Sequence, residues 1–240
     1  MKLGIFTDPH YASREITCGV RFNSRSLEKI REAYRFFERA GCDLAVCLGD
    51  LIDTEAEHRT EIENLKKVAG VIRSSAVPTV CLMGNHDAFA FTREEFYDIL
   101  GAETMPVNRA AQGNRLVFLD ACFFRSGARY MPGDSDWTDA YYPFEEELRE
   151  IVSSAREDIY VFVHQNLDPA AGERHCISNA ERINRTLSGC GRVRAVYQGH
   201  YHPGCRSVLN GIRYVTFPAM CESDNAFFTE DLQTGLSDPA

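Results

Sequence analysis

The sequence predicts an α/β fold built as one domain over residues 1–240, and three observations carry that reading. Short, mostly β-branched or apolar runs recur along the chain. Amphipathic helical stretches separate them, and no linker, fixed repeat or low-complexity segment interrupts the alternation. The runs at residues 3–7, 44–48, 77–83, 159–163 and 193–198 have the length and continuous apolarity of strands buried on both faces. Between them, Leu27, Ile30, Tyr34 and Phe37 recur at helical spacing, with Gly41 placed as a stop. Thr60 with Glu63, and Thr92 with Glu95, have the form of capping boxes opening two further helices. Pro143 precedes an acidic helix start at residues 145–147, which suits the positive end of a helix dipole, and Asn179 is placed to cap another helix. The last third turns more antiparallel: residues 206–209, 212–217 and 225–229 read as strands, with Asn210-Gly211 as a two-residue hairpin turn. The least regular stretch, 121–143, carries Phe123, Phe124, Tyr130, Trp137, Tyr141 and Tyr142. Its rings either serve a site or cover a sheet edge.

Bulk composition narrows the class. With 26 Lys plus Arg against 35 Asp plus Glu, the formal net charge is -9, which opposes general affinity for long nucleic acid or anionic membrane. No apolar run approaches the roughly 18 to 20 residues of a membrane helix, and an acidic residue at Asp8 comes too early for a signal peptide. A cytoplasmic protein is the expectation. Nine cysteines, an odd number without a Cys-x-x-Cys pair, read as reduced thiols, and Cys47 and Cys81 as small core residues.

Where the polar residues fall is more informative. Each of the five runs ends in groups able to bind metal: Asp8-Pro9-His10, Gly49-Asp50-Leu51-Ile52-Asp53, Gly84-Asn85-His86-Asp87, His164, and Gly199-His200-Tyr201-His202. Ligands of open α/β sheets bind beyond the carboxyl ends of the strands, so five ends of one sheet would gather these groups on one rim. Any one piece arises by chance, and a lone strand-end histidine is more often a structural hydrogen-bonder. Together the five are not accidental. Carboxylates, an amide oxygen and imidazoles without thiolate suit Mn, Fe or Zn. The donors outnumber what one tetrahedral ion can use, so two ions are expected, with Asp50 bridging through its two oxygens. A metal pair about 3.5 to 4 Å apart suits in-line displacement at phosphorus and lowers the pKa of bound water to about 7, making hydroxide available.

Taken together, Asp8-x-His10, Gly49-Asp50-x-x-Asp53, Gly84-Asn85-His86-Asp87, His164 and Gly199-His200-x-His202 resemble the full signature of the calcineurin-like metallophosphoesterases, across more than four-fifths of the chain. The resemblance implies a four-layer α/β/β/α sandwich with a dinuclear site at the carboxyl ends of the strands. It implies one divalent or mixed-valence transition metal ion on Asp8, His10, Asp50 and His202, and a second on Asp50, Asn85, His164 and His200. His86 would contact phosphate and protonate the leaving oxygen, with Asp87 orienting its ring. Independently of the family, histidine is suited to general acid work near neutral pH. Asp53 either accepts a bond from a ligating imidazole or is a plain carboxylate at a helix start.

Residues 21–27 and 221–227 further resemble segments of the manganese-dependent ADP-ribose/CDP-alcohol diphosphatases. That branch usually has glutamine where this chain has His10, and Gln165-Asn166 departs from the usual residues after His164. Arg21 and Arg25 are placed to grip a second phosphate, or else Arg25 merely solvates a helix with its neighbours. His58 and His175 read as surface residues. The expected function is hydrolysis of a small, nucleotide-like phosphodiester or pyrophosphate, with aromatic residues of 121–143 stacking on a base. A cyclic-nucleotide phosphodiesterase or broad phosphomonoesterase is the near alternative. A nuclease would carry a basic groove, and a non-catalytic scaffold would lack ligands.

Overall fold

A computed structural model describes residues 1–237 other than 103, 104 and 106. Two sheets form. The first has the order β11 (Gly235–Ser237), β10 (Phe227–Asp231), β1 (Lys2–Phe6), β2 (Leu44–Cys47) and β3 (Thr79–Cys81). The second runs β4 (Asn108–Ala111), β5 (Asn114–Leu119), β6 (Asp158–Val163), β7 (Val193–Gln198), β9 (Ile212–Thr216) and β8 (Cys205–Leu209). In the first sheet β1, β2 and β3 run parallel, while β10 and β11 add antiparallel at the β1 side; in the second, β5, β6, β7 and β9 run parallel and the edge strands β4 and β8 are antiparallel.

The five expected strands therefore belong to two sheets rather than one: β1, β2 and β3 to the first, β6 and β7 to the second. Apolarity on both faces marks burial, and a strand between a helix layer and another sheet is as buried as one between two helix layers. The sheets face each other, with Phe217 packed on Phe228 at 5.0 Å between ring centres and the Tyr160 hydroxyl donating to the Leu232 carbonyl at 2.7 Å. The first is covered by α1 (Ser26–Ala40), α2 (His58–Ser74) and α4 (Arg93–Leu100). The second is covered by α5 (Glu145–Ser154) and α6 (Ala180–Gly189), where Tyr214 of β9 donates to Asn184 of α6. A short helix, α3 (Asn85–Ala90), follows β3. This is a four-layer α/β/β/α sandwich.

Local chemistry explains most boundaries. The α1 helix buries Ile30, Tyr34 and Phe37 and ends at Gly41 with φ 68°, a left-handed position that glycine adopts without Cβ strain. Thr92 caps α4 by accepting the Glu95 N–H at 3.2 Å. Asn210 and Gly211, with φ 52° and 80°, turn β8 into β9 as a primed hairpin turn requires. Thr60 is not a cap, because α2 already starts at His58. There Glu61 reaches back from inside the helix, accepting the Glu55 N–H at 3.0 Å and pairing with His58. Asn179 is the N-cap residue of α6, its carbonyl accepting the Arg182 and Ile183 N–H groups, but its side chain makes no capping bond; the amide exchanges two hydrogen bonds with the Tyr142 backbone and holds Glu145, joining the starts of α5 and α6. Strands β4, β5 and β11 lie outside the runs singled out from the sequence.

Gly4 seats α1 on the sheet. A Cβ at that position would lie 2.4 Å from the Phe37 ring. Gly4→Ala should destabilise the fold by roughly 1–3 kcal/mol through overpacking, read as a lower urea midpoint; an unchanged midpoint would show that α1 has room to shift.

Candidate metal centre and cleft

The proposed donors do converge, and the backbone is bent to bring them together. Among the described residues, seven non-glycine positions have positive φ, and four of them are Asp8, His10, Asp50 and His200. Such conformations are sparsely allowed and persist only where surrounding structure fixes them. Three glycines permit the approach. A Cβ on Gly84 would lie 2.1 Å from Asp50 Oδ1, one on Gly199 2.1 Å from Thr7 Oγ1, and one on Gly49 2.7 Å from His164 Nδ1.

Hydrogen bonds then select which donor atoms face inward. Asp8 Oδ2 accepts the Thr7 hydroxyl and, at 3.0 Å, the His200 N–H, while Oδ1 is buried without a hydrogen-bond partner among the described residues. Asp8 Oδ1 lies 3.6 Å from His10 Nε2 and 3.5 Å from His202 Nε2. Asp50 Oδ1 accepts the His86 N–H at 2.8 Å; Oδ2 lies 3.5 Å from His10 Nε2 and 3.3 Å from His164 Nε2. One oxygen of Asp50, rather than both, is thus left between the two donor sets. His164 is oriented by Nδ1 against the Leu48 carbonyl at 2.9 Å, which leaves Nε2 3.2 Å from Asn85 Oδ1. His200 Nε2 is buried with no hydrogen-bond partner among the described residues, close to Asp50 and His164. Buried polar atoms in folded proteins are normally paired. Unpaired carboxylate and imidazole atoms aimed at one another are the chemistry of a cation site.

His86 and its neighbours are arranged differently from the resemblance. The α3 helix begins at Asn85, so consecutive side chains diverge. His86 faces the cleft, and its Nδ1 is held by Asp53 Oδ1 at 3.1 Å and Thr54 Oγ1 at 3.2 Å. Asp87 does not touch it. That buried carboxylate accepts the N–H groups of Gly84, Leu51 and Ile52, bracing the β2 loop against α3. Burial and the Asp50 carboxylate push Asp87 up to about 7. Asp53 lies 3.8 Å from His10 Nδ1 and is also held by Arg14 at 3.0 Å and Asn23 at 3.1 Å. Burial would raise it, yet His86, His10 and Arg21 hold it well below the usual carboxylate range.

Arg21 reaches the cleft, 3.5 Å from Asp53 and 4.0 Å from Glu222. Arg25 does not: it lies exposed over the Phe22 ring, 4.7 Å from its centre. Of the two histidines read as surface, His58 is exposed and pairs with Glu61 and Glu95, whereas His175 enters the cleft wall. The aromatic stretch 121–143 splits between its two expected roles, for Tyr130 and Tyr142 are buried while Trp137 lines the cleft. Glu222 was not marked by any strand-end signal; its Oε1 meets His202 Nδ1 at 2.5 Å. It stands in one of the two segments that carried the closer resemblance, and these touch: the Phe22 N–H donates to the Cys221 carbonyl, and Arg21 lies beside Glu222, with Lys29 just beyond the first segment bonding Met220 and Ser223.

In the metal-free protein the imidazoles separate electrically. Burial lowers His10 to about 4. Burial also opposes charge on His164 and His202, but the carboxylates prevail: Asp50 and Asp8 raise His164 to about 9, and Asp8 with Glu222 raise His202 to about 9.

The two-sheet sandwich, with carboxylates, an amide and imidazoles at its rim, has the fold and donor set of the metallophosphoesterases. Residues 1–204 match the family model of the calcineurin-like phosphoesterases, and the chain belongs to that family, which implies a dinuclear metal site. A protein of Psychrobacter arcticus named as a probable cyclic nucleotide phosphodiesterase is 22% identical over 196 residues, covering 75% of this chain and 64% of its own length. Among solved structures, a dimetal phosphatase from Danio rerio superposes with TM-score 0.83 at 20% identity, over 95% of this chain and 91% of that one. A Thermus thermophilus protein superposes with TM-score 0.63 at 12% identity, over 99% and 97%.

Glu222 gives a direct test of the rim. Orienting carboxylates of ligating histidines typically contribute about 10–100-fold to metal affinity. Glu222→Ala should therefore weaken uptake of one of two Mn equivalents in calorimetric titration, by about that factor relative to the unsubstituted protein; unchanged affinities for both equivalents would show that His202 needs no support.

Proposed function

We propose that the protein hydrolyses a small, nucleotide-like phosphodiester or pyrophosphate at a dinuclear site, one ion held by Asp8, His10, Asp50 and His202 and the other by Asp50, Asn85, His164 and His200. The observation that carries this reading is Asp50 Oδ2, set between His10 Nε2 at 3.5 Å and His164 Nε2 at 3.3 Å. The unpartnered Asp8 Oδ1 and His200 Nε2 lie one on each side. Hard oxygens with borderline imidazoles favour Mn, Fe or Zn. Metals held there supply Lewis acidity toward a phosphoryl oxygen and activation of water.

The remaining steps belong to the protein. His86 binds the phosphate and donates a proton from Nε2 to the leaving oxygen, its ring fixed by Asp53 and Thr54 through Nδ1. Arg21 adds a cation at the same end of the cleft for a second phosphate or other anionic group. The cleft, about 350 Å³, has room for part of a nucleotide, and the net charge of -9 disfavours long nucleic acid. A cyclic-nucleotide substrate is the second reading, favoured by the name of the Psychrobacter arcticus relative.

The deciding experiment is a panel with added Mn: bis-(nitrophenyl) phosphate, nitrophenyl phosphate, ADP-ribose, CDP-choline, cyclic AMP and single-stranded DNA. Turnover of a small diester or pyrophosphate is expected; preferential attack on DNA would overturn the reading. His86→Ala should lower kcat by roughly 10²- to 10⁴-fold with metal content retained, whereas Asp50→Asn should lose metal and activity together.

Metal uptake should also be pH-dependent. His164 and His202, raised to about 9, are protonated at neutral pH in the metal-free protein and must release their protons to coordinate. Affinity should therefore increase with pH until those imidazoles are neutral. Calorimetry in two buffers of different ionisation enthalpy should detect proton release at pH 7; pH-independent uptake without release would show that the imidazoles are not ligands.

A further inference from the structure

The cleft has two unlike ends. Arg21 and His86 stand beside the His10 and His202 donor set, within reach of Asp53. At the other end, against His200, three rings that belong to none of the metal-binding motif positions form a wall: Trp137, His175 and Tyr201. Trp137 stacks on His175 with ring centres 5.5 Å apart and 21° between planes, and Arg174 lies over the Trp137 ring at 4.8 Å. Tyr201 meets His175 edge-on at 5.0 Å. Among the described residues, the indole N–H, the phenol hydroxyl and the His175 imidazole have no hydrogen-bond partner, and His175 Nδ1 is buried.

Rings that combine a flat apolar surface with unused polar tips match a ligand that is itself flat and edged with donors and acceptors. We propose that Trp137, His175 and Tyr201 are the specificity-determining residues of the cleft and take the nucleobase of the substrate, on the His200 side, away from His86 and Arg21. This rests on the phosphoesterase reading for its reaction, but not for its binding. The three rings are absent from the motif positions because recognition of the base is separate from the chemistry on phosphorus: motif residues hold metal and phosphate, and the wall selects what the phosphate carries.

Trp137 is the sole tryptophan of the chain, so it reports on its own site. With Mn present and excitation confined to tryptophan, AMP should quench the fluorescence saturably, whereas ribose 5-phosphate and inorganic phosphate should not. His175→Ala should weaken AMP binding by about tenfold or more, and His175→Phe, which keeps a ring, should restore most of it. In turnover, thymidine 5′-(4-nitrophenyl) phosphate and methyl 4-nitrophenyl phosphate share a leaving group, and only the first carries a nucleoside. Trp137→Ala and His175→Ala should raise the ratio of the first ester's KM to the second's by about tenfold, with kcat for the two esters changing in parallel. Equal quenching by AMP and ribose 5-phosphate, no quenching by AMP, or equal loss on both esters would overturn the proposal. Quenching by AMP alone, with neither ester hydrolysed, would sustain the base wall and remove the phosphoesterase reading instead.

Discussion

The rim depends on one steric constraint: the loop after β3 must touch the loop after β2 with nothing between. Gly84 meets Asp50 where any Cβ would stand 2.1 Å from Oδ1, and from there the His86 N–H reaches the same oxygen. Gly84 itself has an ordinary extended backbone, with φ -92° and ψ -178°, so close approach rather than conformational freedom requires glycine here. With Oδ1 consumed, Oδ2 is the oxygen left toward both donor sets. A larger residue at 84 would separate the loops and rotate the carboxylate that the two halves of the site share.

Electrostatics then makes this arrangement expensive without a cation. Asp8, Asp50, Asp53 and Asp87 are all buried near one another, and each has been given some partner: backbone N–H groups, histidines, Arg14 or Arg21. Those partners differ in kind. Asp53 and Asp87 are fully engaged in holding other groups, one bracing His86 and the other the β2 loop. Asp8 and Asp50 each keep one oxygen turned toward imidazole nitrogens. The acidic excess of the chain is therefore divided at the site between carboxylates that shape it and carboxylates offered to a ligand.

This division also shows what was legible beforehand. Strand-end donors could be read because a strand's end is local in sequence, and the runs at 159–163 and 193–198 announce His164 and the His200–His202 pair directly. Assignment to two sheets could not be read that way, since apolarity reports burial and not which layer does the burying. The same limit hid the partner of His86. Asp87 is adjacent in sequence, but the turn of α3 sends it back to Gly84, and Asp53, far along the chain, takes its place. His175 and Glu222 stand on no strand end; only the fold brings them to the cleft. The segments at 21–27 and 221–227 gave an indirect signal, for two stretches resembling one branch of a family prove to pack on each other beside the rim.

The two-sheet origin has a mechanical consequence. Asp8 follows β1 of the first sheet and His200 follows β7 of the second, yet the His200 N–H donates to Asp8 Oδ2 at 3.0 Å. His164, after β6, is fixed to the Leu48 carbonyl after β2 at 2.9 Å. Met220 and Cys221 continue the seam by donating to the carbonyls of Thr7 and Asp8. The donors are thus also the stitches that join the sheets at this edge. A shift of one sheet against the other would move the His164 and His200 side chains relative to Asp8 and Asp50, so the packing between sheets sets the spacing of the site. The left-handed backbones of Asp8 and His200 fit this account: each is the point where a chain leaving one sheet bends to meet the other, while Asp50 bends toward the loops after β1 and β3 of its own sheet, and strain of about 1–3 kcal/mol per residue is tolerated because the bonds around it hold it.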